Sequence, residues 1–120
     1  MGLDMYLYAR PKNDDHQVAY WRKANAIHGW FVREAQNGVD ECQHSLVHRE
    51  QLQELIDTCS KVLLDHSLAE ELLPPERGCF FGTYEYDDWY FTDLENTVTE
   101  LTAVLADKGE DYEFYYNSSW

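Results

Sequence analysis

His44 and His48 stand four residues apart, a spacing that on a helix turns two imidazoles toward one metal ion. The chemistry goes no further. Ser45 occupies the position that an HExxH pair gives to glutamate, no third ligand stands out, and both histidines precede the nearest clear helical periodicity. His28 flanks an apolar stripe and, given an Asp or Glu partner, could act as a general base. A histidine so placed is more often a hydrogen-bonded core residue. Cys42, Cys59 and Cys79 are odd in number, widely spaced and without a CxxC pair, which fits free thiols better than a disulfide framework or a zinc site. Cys59 falls on an apolar stripe and reads as a small hydrophobe. Asp40 and Glu41 beside Cys42 do not favour a nucleophilic thiolate. No glycine-rich phosphate loop or GxSxG elbow occurs, and paired carboxylates are too common in an acidic chain to single out glycosidase chemistry. No catalytic residue, metal or cofactor is assigned.

One stretch is organised for contact rather than for catalysis. Tyr84 to Phe91 (YEYDDWYF) interleaves aromatic side chains with carboxylates. Tyr and Trp are effective interface anchors because each brings a large, rigid area and a polar tip. The contact set read from the sequence is Glu85, Tyr86, Asp87, Asp88, Trp89, Asp93, Glu95 and Glu100. The plainer alternative makes these aromatics a sheet–helix junction and the acids a solvated rim.

The totals support one acidic domain over residues 1–120. Nine basic and 23 acidic residues give a net charge of −14. From Gly78 onward ten acids face the single base Lys108, so −9 of that charge lies in the last 43 residues. Such a field disfavours direct binding to nucleic acid or anionic membrane and favours a basic protein partner, although solubility alone would also account for it. The apolar fraction of 44% is too high for a disordered chain. No run approaches the ~18 apolar residues of a membrane span, and the N-terminus lacks the pattern of a signal peptide. The expected location is the cytoplasm.

These residues need elements to hold them. Leu3 to Ala9 alternates as a strand. Ala24, Ile27, Phe31 and Ala35 form a helical stripe within Val18–Gln36, which ends at Asn37-Gly38; Arg22, Lys23 and Arg33 on its outward side are three of the nine basic residues. A short strand around Ser45–Val47 is one reading of the connection that follows. Leu52, Leu55/Ile56, Cys59 and Val62/Leu63 predict a helix over Arg49–Leu64. Ser67 with Glu70 reads as a capping box for further turns up to Pro74-Pro75. Cys79-Phe80-Phe81 has strand character. Phe91, Leu94, Val98, Leu101 and Leu105 predict a helix that Asp87 can cap. Tyr112 to Asn117 reads as a final strand. The expected fold is α+β: a three-stranded sheet in the order β-α-α-β-α-β, with the helices packed mainly on one face. A terminal strand at the sheet edge would offer unpaired backbone to a second copy, so a homodimer is a further expectation, opposed by the repulsion of two −14 chains.

The opening MGLDMYLYARPK, the segment YWRKANAIHGWF, EYDDWYFTDLENT and the closing DYEFYYNSSW together resemble a family of small proteins encoded by bacteriophages and prophages. His48 departs from the small N-capping residue expected before REQLQEL. The resemblance extends over essentially the whole chain and carries no known activity, so it transfers no catalytic residue. It implies a phage accessory protein in the host cytoplasm that binds a basic surface of a host protein. An anti-defence inhibitor, of CRISPR effectors or restriction enzymes, would mimic nucleic acid with its acids. The alternatives are a small histidine-dependent or nucleotide-handling enzyme using His28 or His44/His48, and a self-associating structural protein.

Overall fold

The computed structural model describes residues 3–10, 16–75, 86–109 and 112–120. The alternation of Met5, Leu7 and Ala9 against Asp4, Tyr6 and Tyr8 produces strand β1 (Asp4–Arg10), with the first set buried. Strand β2 (His16–Arg22) lies antiparallel beside it, Met5 opposite Trp21 and Tyr6 opposite Tyr20. A bulge shifts the register between Leu7 and Tyr8, whose partners are Ala19 and Gln17, leaving Val18 as the extra residue. This corrects the expected helix from Val18. Trp21 stands three residues before Ala24 and so mimics helical spacing, but Ala19 and Trp21 are buried as alternate residues of a strand. The chain leaves β2 through Lys23, whose φ of 56° is left-handed and whose N–H still bonds to the Leu3 carbonyl.

Helix α1 (Asn25–Ala35) begins only then. It closes as the sequence predicts: Asn37 and Gly38 have φ of 54° and 78°, and the Gly38 N–H reaches back to the Val32 carbonyl. Strand β3 (Ser45–Val47) leads into helix α2 (Arg49–Leu64), which buries the predicted Leu52, Leu55, Ile56, Cys59 and Val62. His48 serves as its N-cap residue, with its N–H donating to Gln51 Oε1. The next turns, a 3₁₀ turn at His66–Leu68 and helix α3 (Ala69–Leu72), are capped by Asp65 rather than Ser67. The Asp65 carboxylate accepts from both the backbone N–H and the hydroxyl of Ser67, which holds its pKa below the ordinary value. Helix α4 (Asp88–Asp107) starts at Asp87 as expected, that carboxylate accepting from the Tyr90 N–H, and its last carbonyls accept from Arg49.

Strand β4 (Glu113–Ser119) completes an antiparallel sheet of four strands in the order β2-β1-β4-β3. The class is α+β, but the expected three strands become four, and the expected strand at Cys79–Phe81 lies outside the described residues. β4 is not an edge. It pairs with β1 on one side and β3 on the other, because its inward Phe114, Tyr116 and Ser118 are all buried and need the middle of the sheet. The backbone route to a dimer through this strand is therefore closed.

The helices cover one face, where α4 also departs from its sequence pattern. Its buried line is Tyr90, Leu94, Thr97, Leu101 and Val104, while Phe91, Val98 and Leu105 are half-buried beside it. Polar tips explain the rotation. The Thr97 hydroxyl accepts from Trp21 Nε1 at 2.9 Å, and the Tyr90 hydroxyl donates to the Leu73 carbonyl at 2.7 Å. Thr97→Val keeps the shape and leaves the buried indole N–H without its acceptor, a cost of about 1–3 kcal/mol in urea unfolding. An unchanged midpoint would show that the bond does not hold α4 in this orientation.

Candidate functional site

Period-2 alternation gives the sheet two different surfaces. Its outward face carries Asp4, Tyr6 and Tyr8 from β1, Tyr20 from β2, Tyr115 and Asn117 from β4 and Leu46 from β3. Helices α1, α2 and α4 pack on the other face, so this one keeps Tyr20 41% and Leu46 44% exposed and the rest partly open. The tyrosine rings form a continuous array. Tyr6 lies 6.1 Å from Tyr8 and 5.4 Å from Tyr20, and Tyr8 lies 6.0 Å from the His44 ring. Tyr115 stands opposite both Tyr8 and Leu46, with the Arg10 guanidinium 4.5 Å over its ring. Two hydroxyls are tethered: Tyr20 donates to Asp4 at 2.5 Å and Tyr115 to Glu113 at 2.8 Å. The Asp4 bond also raises the Tyr20 pKa. The surface is thus amphipathic, pre-arranged and mixed in charge.

The residues that the sequence singled out do not form one face. Glu85 lies outside the described residues. Tyr86 is exposed but packs edge-on against Tyr90 at 5.1 Å, and Asp87 is occupied as the α4 cap. Trp89 is 75% exposed. Five residues separate Asp88 from Asp93 and Glu95 from Glu100, which is about 140° of helix rotation. Asp88 and Glu95 consequently point to solvent, whereas Asp93 and Glu100 border the seam toward α1 and β2. Burial, with Asp87 nearby, moves the Asp93 carboxyl from its ordinary 3.8 up to about 6, and burial also raises Glu100. The acidic surface is split in two, and half of it is partly desolvated.

The tightest polar cluster centres on His28, a hydrogen-bonded core histidine as its place beside the apolar stripe suggests, with partners that spacing did not name. His28 is fully buried, its Nε2 2.9 Å from Asp40 Oδ2 and its Nδ1 2.6 Å from the Tyr116 hydroxyl. A carboxylate only accepts, so Nε2 carries the proton toward Asp40 and Nδ1 accepts from Tyr116 in the neutral ring. Asp40 Oδ1 accepts from Trp120 Nε1 at 3.0 Å. Tyr116 stacks on Phe31 with centroids 4.0 Å apart, and burial holds its hydroxyl pKa well above the ordinary value. The loop that carries Asp40 is shaped by Gln36 and Gln43 side chains on its carbonyls and by Asn117 on the Cys42 carbonyl. The histidine–carboxylate contact that an enzyme would use is present. Yet both imidazole nitrogens are spent internally and the ring has no exposed surface, so it cannot reach a substrate.

The other chemistry-bearing residues stay apart. His44 and His48 flank strand β3 rather than sharing a helical face, and His66 stacks on Phe91 with centroids 3.8 Å apart. No cluster of three metal-ligating side chains occurs among the described residues. Burial pushes the Cys59 thiol up to about 12, as befits a core residue. No described helix is long and apolar enough to cross a membrane.

Tyr116→Phe should cost about 1–3 kcal/mol in chemical denaturation, because His28 Nδ1 then loses its donor inside the core. Asp93→Asn should act oppositely. A carboxyl whose folded pKa lies above its unfolded value holds its proton in the folded state, so stability falls as pH rises from about 4 through about 6. The variant should be more stable than the parent by about 1–2 kcal/mol at pH 7, allowing for solvent screening, and equal to it near pH 4. No family model matches the chain, and neither does any curated protein or solved structure.

Proposed function

We propose that this chain is a non-enzymatic binding protein that docks on a basic surface of a partner protein through the tyrosine face of its sheet. The observation that carries the reading is the array of Tyr6, Tyr8, Tyr20 and Tyr115, left open on three adjacent strands while the opposite face is packed. Tyr anchors with a nearby Arg are the composition of an interface centre. The net charge of −14 supports a basic partner, since it speeds encounter with positive charge and repels polyanions. Asp88 and Glu95, which face solvent on α4, contribute to that steering rather than to the close contact.

Within this reading the chain acts in a bacterial cytoplasm as a phage or prophage accessory protein. An anti-defence inhibitor that blocks the nucleic-acid groove of a CRISPR effector or restriction enzyme is its most specific form. The support is the resemblance of its opening, tryptophan-bearing and closing segments to phage-encoded proteins, together with its charge. A histidine-dependent enzyme draws support from the 2.9 Å contact between His28 and Asp40, and is opposed by the absence of a free nitrogen on that ring. A homodimer through the same tyrosine face competes with the partner for one surface.

The test is capture from a bacterial host lysate, followed by binding kinetics with the purified partner. Tyr8→Ser/Tyr115→Ser should keep the thermal midpoint within a few degrees and speed dissociation by more than tenfold. Asp87→Lys/Asp88→Lys/Glu95→Lys should mainly slow association at 0.1 M salt, because charge acts on encounter. It should also lose about 1 kcal/mol of stability with the Asp87 cap. A partner that binds the tyrosine variant with unchanged kinetics, or one that is itself acidic, would refute the reading.

A further inference from the structure

A second site lies away from the tyrosine array, where the start of α1 meets the start of α4. A cavity of about 300 Å³ opens there between Arg22, Lys23, Asn25, Ile27, Trp89 and Asp93. This volume is at the small end of ligand pockets and suits a small, compact ligand. Its floor is apolar core, with Ile27 and Leu94 fully buried and Tyr90 nearly so. One wall is the indole of Trp89, which is 75% exposed although it borders a well-packed core.

The electrostatics of this cavity are opposite to those of the whole chain. Arg22 and Lys23 are adjacent, and neither forms an ion pair within 4.0 Å among the described residues, although Asp4 stands opposite Arg22 in the β1–β2 register. Helix α1 starts in the cavity wall, where Ala24 offers no side-chain cap and the first turn carries no acid, so its positive end adds to the field of the two cations. Asp93, on the opposite wall, is the one carboxylate among the described lining residues and can accept from a donor on the ligand. We propose that this cavity binds a free nucleotide of the nucleoside monophosphate class, its base stacked on Trp89, its phosphate held by Arg22 and Lys23, and its sugar or exocyclic donors facing Asp93. A polynucleotide would bring further phosphates against a −14 surface, so the single nucleotide is the form that fits. The inference does not rest on the tyrosine-face reading: the two sites meet only at Arg22, which stands opposite Asp4 and near Tyr20, while Lys23, Trp89 and Asp93 belong to the cavity alone.

Titration calorimetry of the intact chain with adenosine 5′-monophosphate tests the proposal. Cytidine 5′-monophosphate, adenosine and inorganic phosphate serve as comparison probes. At least one nucleotide should bind saturably at millimolar concentration or below, and more tightly than adenosine or phosphate alone. Arg22→Gln/Lys23→Gln should weaken that binding by about tenfold or more, the loss expected for charge-assisted bonds to phosphate. Trp89→Ala, a change at an exposed position that leaves folding intact, should weaken it by a similar factor through lost stacking. Either no saturable nucleotide binding at several millimolar, phosphate binding as tightly as the nucleotides, or affinity unchanged in both variants would overturn the assignment.

Discussion

The buried hydroxyl of Tyr116 is the constraint on which the rest of this structure depends. A phenol taken fully out of water requires a partner, and here that partner is His28 on α1. His28 in turn requires an acceptor for its second nitrogen, which Asp40 supplies from the loop after the helix. Asp40 then accepts from Trp120 at the end of the chain. Two parts of the chain distant in sequence, residues 28–40 and 116–120, are therefore held by one run of mutually satisfied polar groups. The Phe31–Tyr116 stack supplies the apolar half of the same contact. With β4 fixed in this way, its inward residues belong to the core, and its alternate residues, Tyr115 and Asn117, are obliged to join the outward face. The open tyrosine array follows directly from how the opposite face is satisfied.

A surface of that kind has a physical consequence. Tethered phenols such as Tyr20 on Asp4 and Tyr115 on Glu113 have already lost much of their rotamer freedom. A partner that covers them meets less ordering cost than it would on a flexible surface, which is how preorganisation favours affinity. In the proposed function the acids act on a different stage of binding. Those on α4 diverge around the helix and cannot act as one patch, but together they maintain a long-range field. The proposal thus assigns contact and steering to different residues.

Much of this was legible in the sequence, and the failures have particular causes. Helix α2 has a regular apolar stripe bounded by His48 and Asp65, and its extent was read correctly from spacing alone. The Asp87 cap and the Asn37-Gly38 stop were readable because their chemistry is local. Strand β2 was hidden because Trp21, Ala24 and Ile27 share helical spacing by coincidence. Lys23 makes the break in a left-handed conformation that no glycine or asparagine announces. The rotation of α4 was illegible because Thr97 and Tyr90 are polar by type and buried only by virtue of long-range partners. The tyrosine face was hidden for a related reason. A tyrosine on alternate positions of one strand looks ordinary, and only the strand order brings Tyr20, Tyr6, Tyr8 and Tyr115 side by side.

Hydroxyl-radical footprinting of the chain alone and in complex with its captured partner measures the central claim most directly. Protection should be concentrated at Tyr6, Tyr8, Tyr20, Tyr115 and Leu46, with Tyr86 and Trp89 as reactive in the complex as in the free chain. Protection confined to Tyr86 and Trp89, with the sheet tyrosines unchanged, would contradict it and return the interface to the first turn of α4.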